Sequence, residues 1–599
     1  MSARTVHGML AESAETYGNL PAMHQPIAEN GSRKYRTWSW KEYRQAVEEI
    51  AAGLWALGFR KGDIIVVDSE TRAEFFLVDI GIMAMGANSA ALYPSYPVPE
   101  LVGRIRAADA KAVFVQDPRT LDALRAEMQG PNPTWFLLTG EMDGVINQSQ
   151  LRERGHRAAV ADKHLLKRLR EEATPDDYAI LYLTSGATGD PKMVLTKHSA
   201  LIANIDLVLK VAWAGPKDRG LAFLPSAHIA QRVVMELGMI RLGVPVWFSA
   251  GLKHLPEEIR TIGPTVFMGP PRLWERIYTS ICTEIRKRPQ YAQKIYYASL
   301  GLALEANKRR HAGKPAPGWM QASLKVADRV VFRKLRARLG GRMRIPCSGA
   351  APLGKSLAQF YEAIGMPLIE GYGLTEGGVV SMNPLDAPKP GSIGKMFPGV
   401  QMKLAPDGEM LLKAACLSSG YYKDPEATRR ILHDGWLTTG DLAEVDADGY
   451  VQITGRKKEL IVSSNGKKIF PSRTESLFKL ETIVSNVVLI GDGLPHLAAL
   501  FTINTSVAET LDGMEAWAGG PASEIAVAPP VAAEVQRAVA RVNKQLAAFE
   551  QIRRYRILTR EFNIDSGELT ATMKVRRTRV LENFREIVSE FYAGREESD

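Results

Sequence analysis

Along the first third of the chain, apolar positions switch between two periods. Residues 43–57 are amphipathic at helical spacing, and residues 63–68 (DIIVVD) form a short β-rich run. Residues 112–115 (AVFV) and 135–138 (WFLL) are further apolar runs between polar helical stretches. This alternation predicts an α/β fold, a large multi-layer N-terminal body with mostly parallel sheets. The most apolar region, residues 75–93, is interrupted by Asp79, Gly81 and Gly86. A membrane span needs about 20 nearly uncharged residues, so a buried helix and strand are predicted there instead.

Residues 324–339 differ in texture. Leu324, Ala327, Val331, Leu335 and Leu339 recur at helical spacing with Arg and Lys between them. The pattern predicts a helical insertion having one buried stripe and one cationic face. Character changes again at Gly455-Arg456-Lys457-Lys458, followed by a short apolar strand at 460–462, a glycine turn and a compact α+β pattern. The boundary is placed at Lys458, giving a body of 1–457 and a small α+β C-terminal lid of 458–599, within normal domain size.

Charge sharpens this picture. The 599 residues carry a net charge of +10, yet residues 281–345 alone hold sixteen Lys and Arg against three acids. The basic insertion carries the whole excess, so acidic phospholipid head groups or polyanionic ligands are the candidate partners, with contact to an anionic membrane expected through 281–345. Nucleic acid is not expected, because no binding motif accompanies the charge. The three cysteines, Cys282, Cys347 and Cys416, are far apart, which excludes a disulfide framework and a zinc site. The first ten residues lack a basic start and a sustained apolar stretch. A cytoplasmic protein is therefore expected, peripheral on the inner face of the membrane, and Asn147-Gln148-Ser149 is read as a chance sequon.

Four strings carry candidate chemistry. In residues 181–194, LYLTSGATGDPKMV, an apolar run ends in a Gly/Ser/Thr loop followed by Lys192. Such a loop can turn backbone N–H groups and hydroxyls toward one anion, with the lysine as a point charge; a polar surface turn is the alternative. Its spacing departs from GxxxxGK[ST], which disfavours a P-loop nucleotidase. Residues 370–378, EGYGLTEGG, follow SGAAPLG at 348–354. Small residues let backbone approach a flat ligand, Tyr372 offers a stacking face, and Glu376 is a hard oxygen donor suited to Mg²⁺. In residues 438–441 (TTGD), Asp441 could accept hydrogen bonds from two adjacent ribose hydroxyls. The DADG at 446–449 lacks the further acids of a calcium loop and reads as a hairpin turn. Residues 567–577, GELTATMKVRR, contain Lys574, which alone would be a solvated charge.

Taken in this order, the strings resemble the adenylate-forming (AMP-binding) superfamily of acyl-CoA synthetases over nearly the whole chain. LPSAHIAQR at 224–232 and TVFMGPPRLWERIY at 265–278, with the basic insertion leading into SGAAP, are similar to the long-chain fatty acyl-CoA synthetase branch. The resemblance implies the adenylate-forming enzyme fold and an acid–thiol ligase that uses ATP and Mg²⁺ to make an acyl-adenylate from a fatty acid, then transfers the acyl group to coenzyme A.

It also implies roles. Thr184, Ser185, Gly186, Thr188, Gly189 and Lys192 would embrace the β- and γ-phosphates, and Gly349, Ala350, Ala351, Gly371, Tyr372 and Gly373 would form the adenine slot. Thr375 would touch the α-phosphate, Thr184 and Glu376 would hold Mg²⁺, and Asp441 with Arg456 would bind the ribose. Lys574 would bridge the carboxylate and the α-phosphate, Lys458 would be the hinge, and Ser464, Asn465, Gly466 and Lys467 would line the coenzyme A channel. His228 would border the acyl channel. Thr184, Lys192, Glu376 and Lys574 are the expected catalytic set.

The chain departs from the family pattern at Ala187, Met193, the KAACLSS of 413–419 and Ala571. None of these removes a group that must do chemistry. Rival readings are an acyl-AMP ligase that loads a carrier protein, a non-catalytic membrane-associated relative, and a luciferase-like monooxygenase.

Overall fold

Strands apolar at every position need a helix on each face, which is the condition that parallel sheets satisfy. A computed structural model describes residues 5–29, 32–183, 192–570 and 573–592. It sets the runs above into a seven-stranded sheet. In order, the strands are Ile146–Asn147, Thr134–Leu137, Ala112–Val115, Ile64–Asp68, Asn88–Ala91, Tyr178–Leu183 and Met193–Lys197. Neighbours are parallel except the last two, which are antiparallel and pair Leu183 with Met193. Leu183 and Met193 are thereby held side by side in the sheet, while Thr184, Ser185, Gly186, Thr188 and Gly189 lie outside the described residues.

A second, nine-stranded sheet has a parallel centre that includes Val266–Gly269, Ile345–Ser348 and Ile369–Leu374. The chain then turns back antiparallel along Gly378–Met382. That reversal leaves Thr375 and Glu376 in a turn just beyond the carboxyl end of a parallel strand, where open α/β sheets collect ligand-binding groups. A five-stranded sheet follows, in which Trp436–Val445 and Val451–Arg456 pair across a tight turn. The Asp446 carboxylate accepts the backbone N–H groups of Asp448 and Tyr450, so the DADG string is a hairpin turn.

Beyond Arg456 the strands form separate small sheets. Ile461–Val462 pairs with Lys468–Ile469, and Val484–Ile490, Leu497–Ile503 and Ile552–Ile557 make a three-stranded sheet. Its two faces bury two apolar clusters, one containing Phe478 and Phe501, the other Val488 and Leu569.

The basic segment is helical. Helices Pro271–Arg286, Gln290–His311 and Gly318–Ala327 lead through a π-helical turn at Asp328–Phe332 into Arg333–Arg338. The predicted stripe faces inward, with Ala327, Leu335 and Leu339 buried, Leu324 and Val331 half-buried, and Phe332 added. The opposite face is not purely cationic, which corrects the expectation. Tyr291, Tyr297, Trp319 and Val326 are each at least half exposed, and Ile295 and Val330 are exposed beside them. These helices carry apolar residues on more than one side, and only one side can pack against the body. No helix among the described residues is long and apolar enough to cross a membrane.

The two large sheets share one core, and a buried ion pair crosses it. Arg232, on the π-helical segment Gln231–Leu237, donates from Nη2 to Asp79 on helix Ala73–Ala84 and to Ser89 Oγ at 3.0 Å. Arg232, Asp79 and the neighbouring Glu236 are fully buried, and burial raises the Glu236 carboxyl well above its ordinary range, so it keeps its proton. Removing one partner of a buried pair strands the other charge. Arg232→Ala should therefore lower stability by about 3–5 kcal/mol in urea unfolding. The double variant Asp79→Leu with Arg232→Met should lose much less.

Candidate active site

Three chemistries meet at the carboxyl ends of these strands. The first is a small-residue slot. A side chain on Gly373 would lie 2.6 Å from the Gly378 carbonyl, and one on Gly349 would lie 3.3 Å from the Gly371 carbonyl. Ala350 has φ +70°, a left-handed conformation that a small residue tolerates best. Tyr372 rises from this slot and donates its hydroxyl to Asp441 Oδ2 at 2.5 Å. Asp441 and Arg456 are cross-strand partners, with Arg456 Nε 3.1 Å from Asp441 Oδ1. The Asp441 carboxylate is thus buried and oriented, and burial together with that carboxylate pushes the Tyr372 phenol well up.

The second is a cation and a carboxylate at one tyrosine. Lys192 Nζ lies 4.6 Å from the centre of the Tyr421 ring, and the Tyr421 hydroxyl donates to Glu376 Oε1 at 2.7 Å. Strand Met193–Lys197 bonds to the 419–422 backbone through Leu195, Ser419 and Tyr422, and Ser418 N donates to the Glu376 carbonyl at 2.8 Å. The distant strings around Lys192 and Glu376 therefore share one cleft. Tyr421 was missed from the sequence, where it stands in an ordinary Gly-Tyr-Tyr turn. Glu370 was missed too. Buried beside the slot, it accepts Leu353 N at 2.9 Å and so ties the SGAAPLG loop to the strand, and burial pushes its carboxyl up to about 8.

The third is Lys574. A tight turn holds it, Leu569 bridging Val575 and the Lys574 N–H donating to Thr570 Oγ1 at 3.1 Å. Burial pushes the Lys574 ammonium down to about 8, Arg456 repels it further, and Asp441 and Glu459 act in the opposite direction. Lys574 is also close enough to His228 to disfavour a charge there. His228, held to about 3 chiefly by burial, is neutral. Its Nδ1 accepts the Ala230 N–H at 3.2 Å, which leaves the Nε2 proton for another acceptor.

His228 lines an apolar cavity whose walls include Ile205, Val208, Val233, Met239 and Met268. Gly349, Ala350, Gly371, Tyr372 and Gly373 line the same cavity. The expected adenine-slot residues and the expected acyl-channel histidine are thus brought to one space. Ala351 and Thr375 are half-buried beside it.

The 463–467 loop is not brought to this site. Its backbone bonds close on itself and on Leu494, and Lys467 Nζ lies 5.9 Å from the Phe549 ring. Gly466 has φ +72° with open space around it. Lys458 is exposed in a short turn, next to Lys457, which pairs with Asp407 at 2.5 Å and Glu409 at 3.0 Å. A metal held here would have Glu376 as its described protein donor. That fits Mg²⁺, which takes one or two carboxylates and completes its shell with phosphate and water.

A family model for AMP-binding enzymes matches residues 10–422, and one for the AMP-binding enzyme C-terminal domain matches residues 458–596. The chain is 33% identical to long-chain-fatty-acid–CoA ligase FadD15 of Mycobacterium bovis, over 92% of this chain and 91% of that protein. It is 28% identical to the peroxisomal long chain acyl-CoA synthetase 7 of Arabidopsis thaliana, covering 98% and 86%. Among solved structures, the adenylation domain of a Mycobacterium chelonae carboxylate reductase matches with a TM-score of 0.74 at 21% identity, covering 98% and 91%. The anthranilate CoA ligase AuaEII in complex with anthranoyl-AMP matches at 0.71 and 17%, covering 98% of each chain.

The cleft should titrate through Lys574. kcat/KM for pyrophosphate release, which reports the free enzyme, should fall as pH rises through about 8 and the ammonium is lost. Lys574→Arg should move that alkaline limb upward, because guanidinium stays charged.

Proposed function

The chain belongs to the AMP-binding enzyme family, and from that premise we propose that it joins a long-chain fatty acid to coenzyme A in two half-reactions. The acid's carboxylate attacks the α-phosphorus of ATP, giving acyl-adenylate and pyrophosphate. The thiol of coenzyme A then attacks the acyl carbonyl and releases AMP. The observation that carries this reading is the buried Lys574, which interacts electrostatically both with the Asp441–Arg456 pair and with His228 of the apolar cavity.

The difficulty of the first step is charge. A carboxylate must approach a polyanion, so fixed cations aimed at the transferring group stabilise the transition state. Lys574 would meet both reacting anions, Lys192 and the 184–189 loop would hold the β- and γ-phosphates, and Thr375 would touch the α-phosphate. Tyr372 with Gly349, Ala350 and Ala351 would cover the adenine, and Asp441 with Arg456 the ribose. Mg²⁺ held by Glu376 and Thr184 would offset phosphate charge. Neutral His228 would stand at the carboxyl end of the acyl chain without adding charge, and the cavity would take the chain at about 0.8 kcal/mol per buried methylene.

For the second step, residues 458–599 would move as a unit about Lys458. That motion would withdraw Lys574 and bring Ser464, Asn465, Gly466 and Lys467 beside the pantetheine arm. The basic helices would rest on an anionic membrane, with Trp319, Tyr291 and Val326 entering its interface and Lys and Arg meeting head groups. Lipid is where the insoluble substrate resides.

Two measurements test this. Lys574→Ala should slow acyl-adenylate formation from a C16 acid by about 10²–10³, yet still convert preformed acyl-adenylate and coenzyme A to thioester; equal loss of both steps counts against the assignment. Sedimentation with phosphatidylglycerol vesicles should show binding that weakens with salt and weakens further in Trp319→Ser.

A further inference from the structure

Helix Pro271–Arg286 begins directly after strand Val266–Gly269, whose Met268 lines the apolar cavity. Its start is rigid, because the buried Trp274 indole N–H donates to the carbonyls of Gly269 at 3.1 Å and Cys347 at 3.2 Å. From this base the Arg272 guanidinium reaches across to residues beyond Lys458. Nη1 donates to the Ser485 carbonyl and to Asn486 Oδ1, both at 2.7 Å. Nη2 donates to Ser485 Oγ at 3.0 Å and lies 3.7 Å from Glu561. The receiving end is also preset, since the buried Asn486 amide donates to Thr502 Oγ1 at 3.0 Å.

Three more contacts cross at the same place, two of them from this helix. Lys479 lies 3.2 Å from Glu275 and donates to the Pro352 carbonyl at 2.5 Å, beside the small-residue slot, and Arg286 donates to Thr482 at 3.3 Å. The strand that Arg272 grips, Val484–Ile490, also carries the Lys574 turn. At its far end the Leu489 carbonyl accepts Arg577 Nη1 at 2.6 Å, and Arg577 pairs with Glu475, which in turn accepts the Leu489 N–H. Arg272 and Lys574 are therefore joined through one short strand.

We propose that Arg272 is a positioning residue for the adenylation step: its fork of hydrogen bonds latches the C-terminal lobe in the pose that puts Lys574 in the cleft, and must release before the thiol step. This rests on the two-step reading above. A planar guanidinium suits the role, because it makes several directed bonds at once and loses them together when its partner rotates away. The latch also offsets the cost of bringing Lys574 next to Arg456 before anionic substrate arrives.

The test measures the two half-reactions separately on the full-length protein. Arg272→Ala should slow acyl-adenylate formation about tenfold and leave thioester formation from preformed acyl-adenylate unchanged or faster. Asn486→Ala, which cuts the same contact from the other side, should give the same split, and the double variant should be no slower than Arg272→Ala. A donor–acceptor dye pair on exposed residues of the two lobes should report a smaller docked fraction in both variants, whatever the chemistry. Equal loss of both half-reactions, additive effects or an unchanged docked fraction would overturn the latch. Absence of both half-reactions in the unaltered protein, with a normal dye response to Arg272→Ala, would instead overturn the two-step reading.

Discussion

Two cations, Lys574 and Arg456, are held in one cleft with Asp441 as their near counter-charge. Like charges in a partly desolvated space repel, and burial alone already disfavours an ammonium. The arrangement is poised for a ligand that brings several negative charges, and it makes little sense as packing.

Delivery is divided between elements of different stiffness. Arg456 and Asp441 sit opposite each other on a hairpin and move together, so their pairing is part of the sheet. Lys574 sits on a turn in the C-terminal lobe, and its position depends on contacts such as those of Arg272 and Lys479 between lobes. The body is braced internally by the Arg232–Asp79 pair, buried against Tyr182 at the base of the 184–191 loop. The same π-helical segment contributes Val233 and Val234 to the cavity, so one buried charge pair positions both a wall of the cavity and the strand that ends at Leu183.

Much of this was legible along the chain. The apolar runs at 63–68, 112–115 and 135–138, short, β-branched or aromatic and set between helical patterns, point to buried parallel strands. The small residues of SGAAPLG and EGYGLTEGG mark close backbone approach, and it occurs between Gly349 and the Gly371 carbonyl. Tyr421, Glu370 and Arg272 were not legible as site residues. Tyr421 lies in an ordinary turn, and although Glu370 and Arg272 lie in strings already singled out, all three act through partners that the local string does not show. The exposed face of the basic insertion was half legible: charge showed in the composition, while Trp319, Tyr291 and Val326 could have been core residues until the packing assigned the inner face to others.

The sequence by itself determined the inventory: which residues can carry charge, which spans must be buried, where backbone can turn tightly, and which family the motifs resemble. These are local properties, written in residue type and period. The tertiary structure alone decided which charges meet, that Lys192 and Glu376 share Tyr421, that His228 is neutral, and that Lys574 lies within reach of Arg456. Such facts depend on distances between residues far apart in the chain and on how much water remains between them, and neither quantity exists until the layers have packed.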